Sequence, residues 1–248
     1  MKTLWLILFL MLPSLLFSYP DGKDIIKRAE DVLRGDSFYS RVKLTVINPK
    51  WTVNYEMEDW EKGKEKSFIY IHSPAKDKGM TFLKLKYSIK MYIPRVNRVI
   101  LIPAGMMGQS MLGSDFSYDD MVHGNSISED YDSKVVGEEI VDEVKCFVVE
   151  LTPKKGKAVV YGKLKYFIGE KDYISRKIDF ISRKKKLIKE MYLTKIKKMN
   201  GKLIPTYYEI TNLKKKGHKT IMEIVDSKYN INIPNSMFSE GNMKRKRR

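Results

Sequence analysis

Polar and apolar positions along the chain fall into three regimes. Thr3 to Phe17 is almost wholly apolar, broken by Pro13 and Ser14. Over 24–34 the apolar residues Ile25, Ile26, Ala29, Val32 and Leu33 are spaced to share one helical face. Asp21 or Asp24 can cap the start of that helix, and Gly35 fits its end. From residue 41 the period changes to two. It predicts strands over 41–58, 67–71, 80–87, 89–94 and 98–102, then over 144–151, 158–168, 173–181, 187–198, 203–213 and 220–226. Gly, Asn or Asp punctuates the turns. Asn200-Gly201 is the strongest hairpin signal, because a type I′ turn needs positive φ at both central residues. The expectation is a mainly β fold of about 10–11 strands, a large antiparallel sheet curled into a barrel or half-barrel. In 158–168, Ala158, Val160, Leu164, Tyr166 and Ile168 oppose Lys163 and Lys165, so one sheet face is read as wet and basic.

The apolar start reads as a signal peptide: Lys2, an apolar run, and a small residue before a cut after Ser18. The run falls short of the roughly 20 residues that span a bilayer, which favours a cleaved leader over an anchor. Neither a linker rich in Pro, Gly or Ser nor an internal repeat follows. The organisation expected is therefore a leader over 1–18, one domain over 19–240 and a disordered basic tail over 241–248. Lys244-Arg245-Lys246-Arg247-Arg248 ends the chain. Such a run is either a solvated tail or an attraction for anionic headgroups.

Composition sharpens this picture. Lys and Arg number 47 against 30 Asp and Glu, a formal charge of +17, and 43% of residues are hydrophobic. A chain so apolar builds a core and is not intrinsically disordered. The one cysteine, Cys146, excludes an intrachain disulfide and a multi-cysteine zinc site. His72, His123 and His218 are far apart, and none of HExxH, GxGxxG, GxxxxGK[ST] or GxSxG occurs. No enzymatic activity, metal or cofactor is expected, and nothing supports nucleic-acid binding by an exported protein.

One segment breaks the pattern. Between Val99 and Ser133 there is no Lys or Arg, while Asp115, Asp119, Asp120, Glu129, Asp130 and Asp132 all fall inside it. Residues 103–121 are rich in Gly, Ser and Met and lack alternation. They predict short helical turns capped by Ser114, Asp115 or Ser117. Met106, Met107, Met111 and Met121 fit either core filling or a mobile flap over an apolar cavity. A metal loop built from the acids is the weaker alternative, because EF-hand spacing is absent.

Four stretches carry a family resemblance. They are Asp59-Trp60-Glu61-Lys62-Gly63-Lys64, Ile71-His72-Ser73-Pro74-Ala75-Lys76-Asp77-Lys78-Gly79, Met91-Tyr92-Ile93-Pro94 with Arg95 and Arg98, and Met111-Leu112-Gly113-Ser114-Asp115-Phe116-Ser117-Tyr118-Asp119-Asp120. The chain resembles the bacterial outer-membrane lipoprotein-sorting (LolA-like) proteins, in their broader sorting-protein-like branch. The resemblance implies a half-open antiparallel barrel with a helical lid over an apolar cavity for acyl chains. It also implies a periplasmic carrier of lipoproteins or lipids, with an inner-membrane lipid exporter, an outer-membrane acceptor and transient membrane contact as partners. No acyl-binding residue of the well-studied carriers can be matched here position by position. The candidate lining is Trp51, Tyr55, Trp60, Tyr92, Met106, Met107, Met111, Leu112, Phe116 and Tyr118, with Arg95 and Arg98 at the mouth. Each aromatic also fits as plain barrel core, and the two arginines as hairpin solvation. The competing function is a non-catalytic envelope protein that binds anionic membrane or polymer through its basic face.

Overall fold

The computed structural model describes residues 19–124 and 126–247; the expected leader and Arg248 lie outside them. Helix α1 (Gly22–Leu33) starts where Asp21 accepts the Lys23 amide, as the sequence expects. It buries Ile25, Ile26 and Ala29. Its end departs from the expectation of a glycine cap, because Arg34 closes the helix in an extended conformation. Gly35 serves close approach instead: a Cβ there would lie 2.2 Å from Asn230 Oδ1.

Thirteen strands form one antiparallel sheet, two more than the alternation reveals. They are β1 (Ser37–Asn48), β2 (Trp51–Lys62), β3 (Lys66–Ser73), β4 (Thr81–Leu85), β5 (Ser88–Ile93), β6 (Arg98–Leu101), β7 (Tyr131–Val141), β8 (Val144–Pro153), β9 (Lys163–Gly169), β10 (Ser175–Ile181), β11 (Leu187–Met199), β12 (Lys202–Asn212) and β13 (Lys219–Tyr229). The run 41–58 is two strands, because Pro49 and Lys50 turn the chain back on itself. β7 escaped detection because its outward positions carry Val136 and Ile140, which blurs the period.

The sheet order is β6-β5-β4-β3-β2-β1-β13-β12-β11-β10-β9-β8-β7. Its two edges, β6 and β7, do not pair, so the barrel stays open. The chain between them, 102–130, is the segment without Lys or Arg. It crosses the inner face as two short helices, α2 (Tyr118–His123) and α3 (Ile127–Asp130).

Coverage differs across the sheet. Under α1 a core of Ile25, Ile26, Leu164, Ile178, Phe180, Met191 and Leu193 forms on the inner face. Under the crossing segment Val42, Leu44, Tyr55, Met57, Ile69, Ile71, Phe82 and Ile89 meet Met111, Tyr118 and Val122. On the outer face of β2–β5, Trp60, Phe68, Tyr70, Leu83 and Tyr92 are covered by Ile233, Phe238 and Met243. β3 is thus buried on both faces. Within the stretch expected as a disordered tail, the described residues pack against this outer face. α4 (Glu240–Met243) buries Met243, and the Arg247 guanidinium stacks 4.2 Å from the Trp60 ring centre.

Candidate functional site

A cavity of about 290 Å³ lies on the inner face between α1, the crossing segment and strands β9–β13. That is the lower edge of the range for small-molecule sites, about 300–1,000 Å³. Its walls are apolar: Ile26, Ala29 and Leu33 come from α1, Phe116 from the crossing segment, and Leu164, Ile178, Phe180, Met191, Leu193 and Ile204 from the strands. Glu30, Arg34, Asp59 and Glu61 line one end, and Asp119, Asp120 and His123 another.

The crossing segment is fastened to the sheet by the residues of its own motif. Gly113 takes φ +73, which favours glycine, and Leu112 takes φ +55 beside it. That turn lets Ser114 Oγ donate to the Met111 carbonyl at 2.7 Å. Asp115 then reaches β12 and β13. Its backbone N–H donates to Thr220 Oγ1 at 2.8 Å, and its carboxylate accepts from Thr220 and from Asn212, each at 2.9 Å. Ser117 caps α2 in a full capping box with Asp120. Of the three caps the sequence allows, Ser117 is the one used; Ser114 and Asp115 shape and anchor the turn before it.

A buried lysine completes the fastening. Lys189 of β11 donates to the Asp115 carbonyl at 2.9 Å, to Asp120 Oδ2 at 3.1 Å and to the Tyr161 hydroxyl. Its Nζ also lies 4.6 Å from the Phe180 ring centre. On the far side of α2, His123 Nδ1 meets Asp130 Oδ2 at 2.7 Å and Lys157 meets Asp130 Oδ1 at 2.8 Å. Burial works against the Asp130 carboxylate, but Lys157, His123 and Ser126 together hold its pKa below the ordinary range. Asp119 lacks that support. Burial pushes its carboxyl up to about 6, against the pull of His123 and the Val160 amide.

At the other end Arg34 and Glu61 pair at 3.0 Å. Lys84 is 1% exposed and its Nζ has no hydrogen-bond partner among the described residues. Burial pushes its ammonium down to about 8 despite the Glu61 and Asp59 charges. Burial, and then the Glu61 charge, raise the Asp59 carboxyl well above its usual range. Lys84 and Lys189 correct the expectation that strand lysines mark a wet face. Both stand among buried residues, and no period-two pattern distinguishes them from their solvated neighbours. Among the described residues no group of three or more His, Cys, Asp and Glu is arranged to hold a metal ion.

The structure scatters the sequence candidates. Phe116 lines the cavity. Tyr55, Met107, Met111, Leu112 and Tyr118 pack beside it, in the core between the crossing segment and β1–β5. Trp60 and Tyr92 lie on the outer face, under the C-terminal segment. Trp51 and Met106 are exposed. Arg95 and Arg98 are exposed around the left-handed turn at Asn97, away from the cavity. Most of the walls sequence reading missed, because alternation marks Ile178, Phe180, Met191 and Leu193 as inward without showing that the space before them is empty.

The open sheet, the inner helix and the crossing segment over an apolar hollow make a LolA-like fold. Residues 63–245 match a family model described as "uncharacterized protein", and the chain belongs to that family. No curated protein matches the chain. Among solved structures it is similar to a DUF1329 family protein from Desulfovibrio piger, with TM-score 0.84 and 21% identity over 90% of this chain and 97% of that one. A putative outer membrane lipoprotein-sorting protein domain from Vibrio parahaemolyticus gives TM-score 0.82 and 20% identity over 90% and 98%. A LolA superfamily protein from Nitrosomonas europaea gives 0.78 and 22% over 90% and 100%. These likenesses establish the fold.

Proposed function

We propose that the protein is a periplasmic carrier that binds acyl chains of a lipoprotein or lipid and hands them on between envelope membranes or to and from a lipid exporter. The observation that carries this reading is the apolar cavity between α1, Phe116 and β9–β12 within a LolA-like sheet. Each buried CH₂ contributes about 0.8 kcal/mol, so a cavity that takes several carbons holds its cargo without any bond chemistry. Release then requires a state with a weaker grip, and the crossing segment at 102–130 is the element placed to provide it. It is fastened by the polar contacts of Asp115, Asp120 and Lys189 beside the packing of Met111, Tyr118 and Val122, and small shifts in such a packed, hydrogen-bonded seam are amplified into discrete rearrangements.

Displacement of a fluorescent fatty acid tests the proposal. Wild-type protein is expected to bind the probe with saturation. Ala29→Trp, which fills the hollow from α1, is expected to abolish binding while the unfolding temperature stays within a few degrees. Equal binding by wild type and Ala29→Trp would remove the cavity from the mechanism. Replacing Met107 and Met111 with Asp tests the crossing segment, and unchanged binding there would show that it takes no part.

A further inference from the structure

Six neighbouring strands, β2-β1-β13-β12-β11-β10, form three hairpins whose tips lie along one edge of the sheet. The tips are Pro49-Lys50, 213–218 and 182–186. They touch in series. Asn48 Nδ2 and His218 Nε2 lie 3.0 Å apart, and the Leu213 amide donates to the Ile188 carbonyl at 3.0 Å. Strand spacing puts successive tips about 10 Å apart.

These tips carry Lys50, Lys184, Lys185, Lys186, Lys214, Lys215 and Lys216, all exposed. None of the seven is in an ion pair among the described residues, and the tips contain no Asp or Glu. Each tip also holds out one large apolar side chain beside its cations: Trp51 is 45% exposed, Leu213 48% and Leu187 40%. The turns of the opposite edge differ. At 63–65, 86–87, 142–143, 170–174 and 200–201, Glu65, Asp142, Glu143, Glu170 and Asp172 outnumber Lys64, Lys86 and Lys171. The crossing segment reaches the basic edge, since a Cβ on Gly113 would lie 3.5 Å from the Trp51 ring.

We propose that this row of three tips is a docking surface for an anionic lipid bilayer. A free phosphate or a folded partner would be met by a pocket or by paired charges. Unpaired lysines alternating with an exposed Trp and two Leu along a line match a headgroup layer, with ammonium groups at the phosphates and apolar side chains at the acyl boundary. The proposal goes beyond the carrier reading and does not depend on it, because none of these residues lines the cavity.

The test is co-sedimentation with vesicles of phosphatidylglycerol and phosphatidylcholine, and with phosphatidylcholine alone. Wild type is expected to bind the anionic vesicles, to release them at high salt, and to shift its Trp51 emission to the blue. Lys184, Lys185, Lys186, Lys214, Lys215 and Lys216 are replaced together by Gln. At roughly five-fold per basic residue, affinity should fall by at least about a hundredfold. The same fatty-acid probe should still bind this variant, which separates failure of docking from failure of the carrier reading. A control with Lys23, Lys27, Lys86 and Lys171 changed to Gln should bind as wild type. Equal affinity for both vesicle types, wild-type binding by the six-residue variant, or heparin binding without vesicle binding would each overturn the proposal.

Discussion

The two halves of this sheet have the same strand chemistry and opposite interiors. From β2 to β5 both faces carry a covered core, under the crossing segment within and under residues of the C-terminal segment without, and the interior is filled. From β9 to β13 the inner face meets chiefly α1, a helix of 12 residues, and a hollow of about 290 Å³ remains. One slender helix cannot fill the width of five strands that a longer segment fills elsewhere. The difference teaches that a cavity here is a property of coverage. The apolar residues of the two halves do not differ in kind.

That contrast can be broken at the seam. Lys189 joins the halves, because it sits on the hollow side and holds the segment that fills the other. Lys189→Met should cost about 3–5 kcal/mol in denaturant unfolding, the loss expected when one partner of a buried pair is stranded. Much of the loss should return in the double variant with Asp120→Leu. A cost under about 1 kcal/mol would mean that apolar packing alone holds the segment.

Lys84 sharpens the comparison from the polar end. Its ammonium is pushed from 10.5 to about 8 in the fold. The stability tied to this group is therefore full above pH 10.5 and is lost as pH falls through about 8. Lys84→Met should raise stability at pH 7 by up to about 3 kcal/mol, and the gain should vanish near pH 10.5. A loss at pH 7 would mean that Lys84 chiefly neutralises Asp59 and Glu61.

On the outer face Arg247 reports whether the C-terminal segment belongs to the filled half. Arg247→Ala should cost about 1–2 kcal/mol through its contacts with Trp60, Phe68 and Tyr70. An unchanged unfolding temperature would make the contact incidental. The smallest effect concerns Asp119. Its raised carboxyl contributes fully below pH 3.8, and that contribution is lost as pH rises through about 6. Asp119→Asn should flatten the fall in stability across that window, by on the order of 1 kcal/mol in thermal scans at stepped pH.

Much of the architecture is legible in the sequence. The helix at 24–34, most strands and the Lys- and Arg-free segment stand out because each rests on local period or local charge. The walls of the cavity do not. Phe180 and Met191 look like any inward strand residue, and only the sparse cover of α1 makes them a lining. The Gly-Ser-Asp-Phe-Ser-Tyr-Asp-Asp stretch is conspicuous in sequence, and most of it serves attachment. Ser117 and Asp120 cap a helix, Asp115 binds two strands, and Phe116 is the one apolar residue of the stretch that lines the hollow. Trp60 and Tyr92 misled because a large ring beside a β turn looks the same whether it faces inward or outward. The buried Lys84 and Lys189 are illegible because the groups that surround them, Asp59 and Glu61 for the one and Asp115, Asp120 and Tyr161 for the other, lie more than twenty residues away.

The most direct test of the carrier account is native mass spectrometry of the protein purified after expression of its full 248-residue sequence, followed by organic extraction. The account predicts a co-purifying acylated species that is absent from Ala29→Trp. A clean protein that also takes up no added lipid would contradict it.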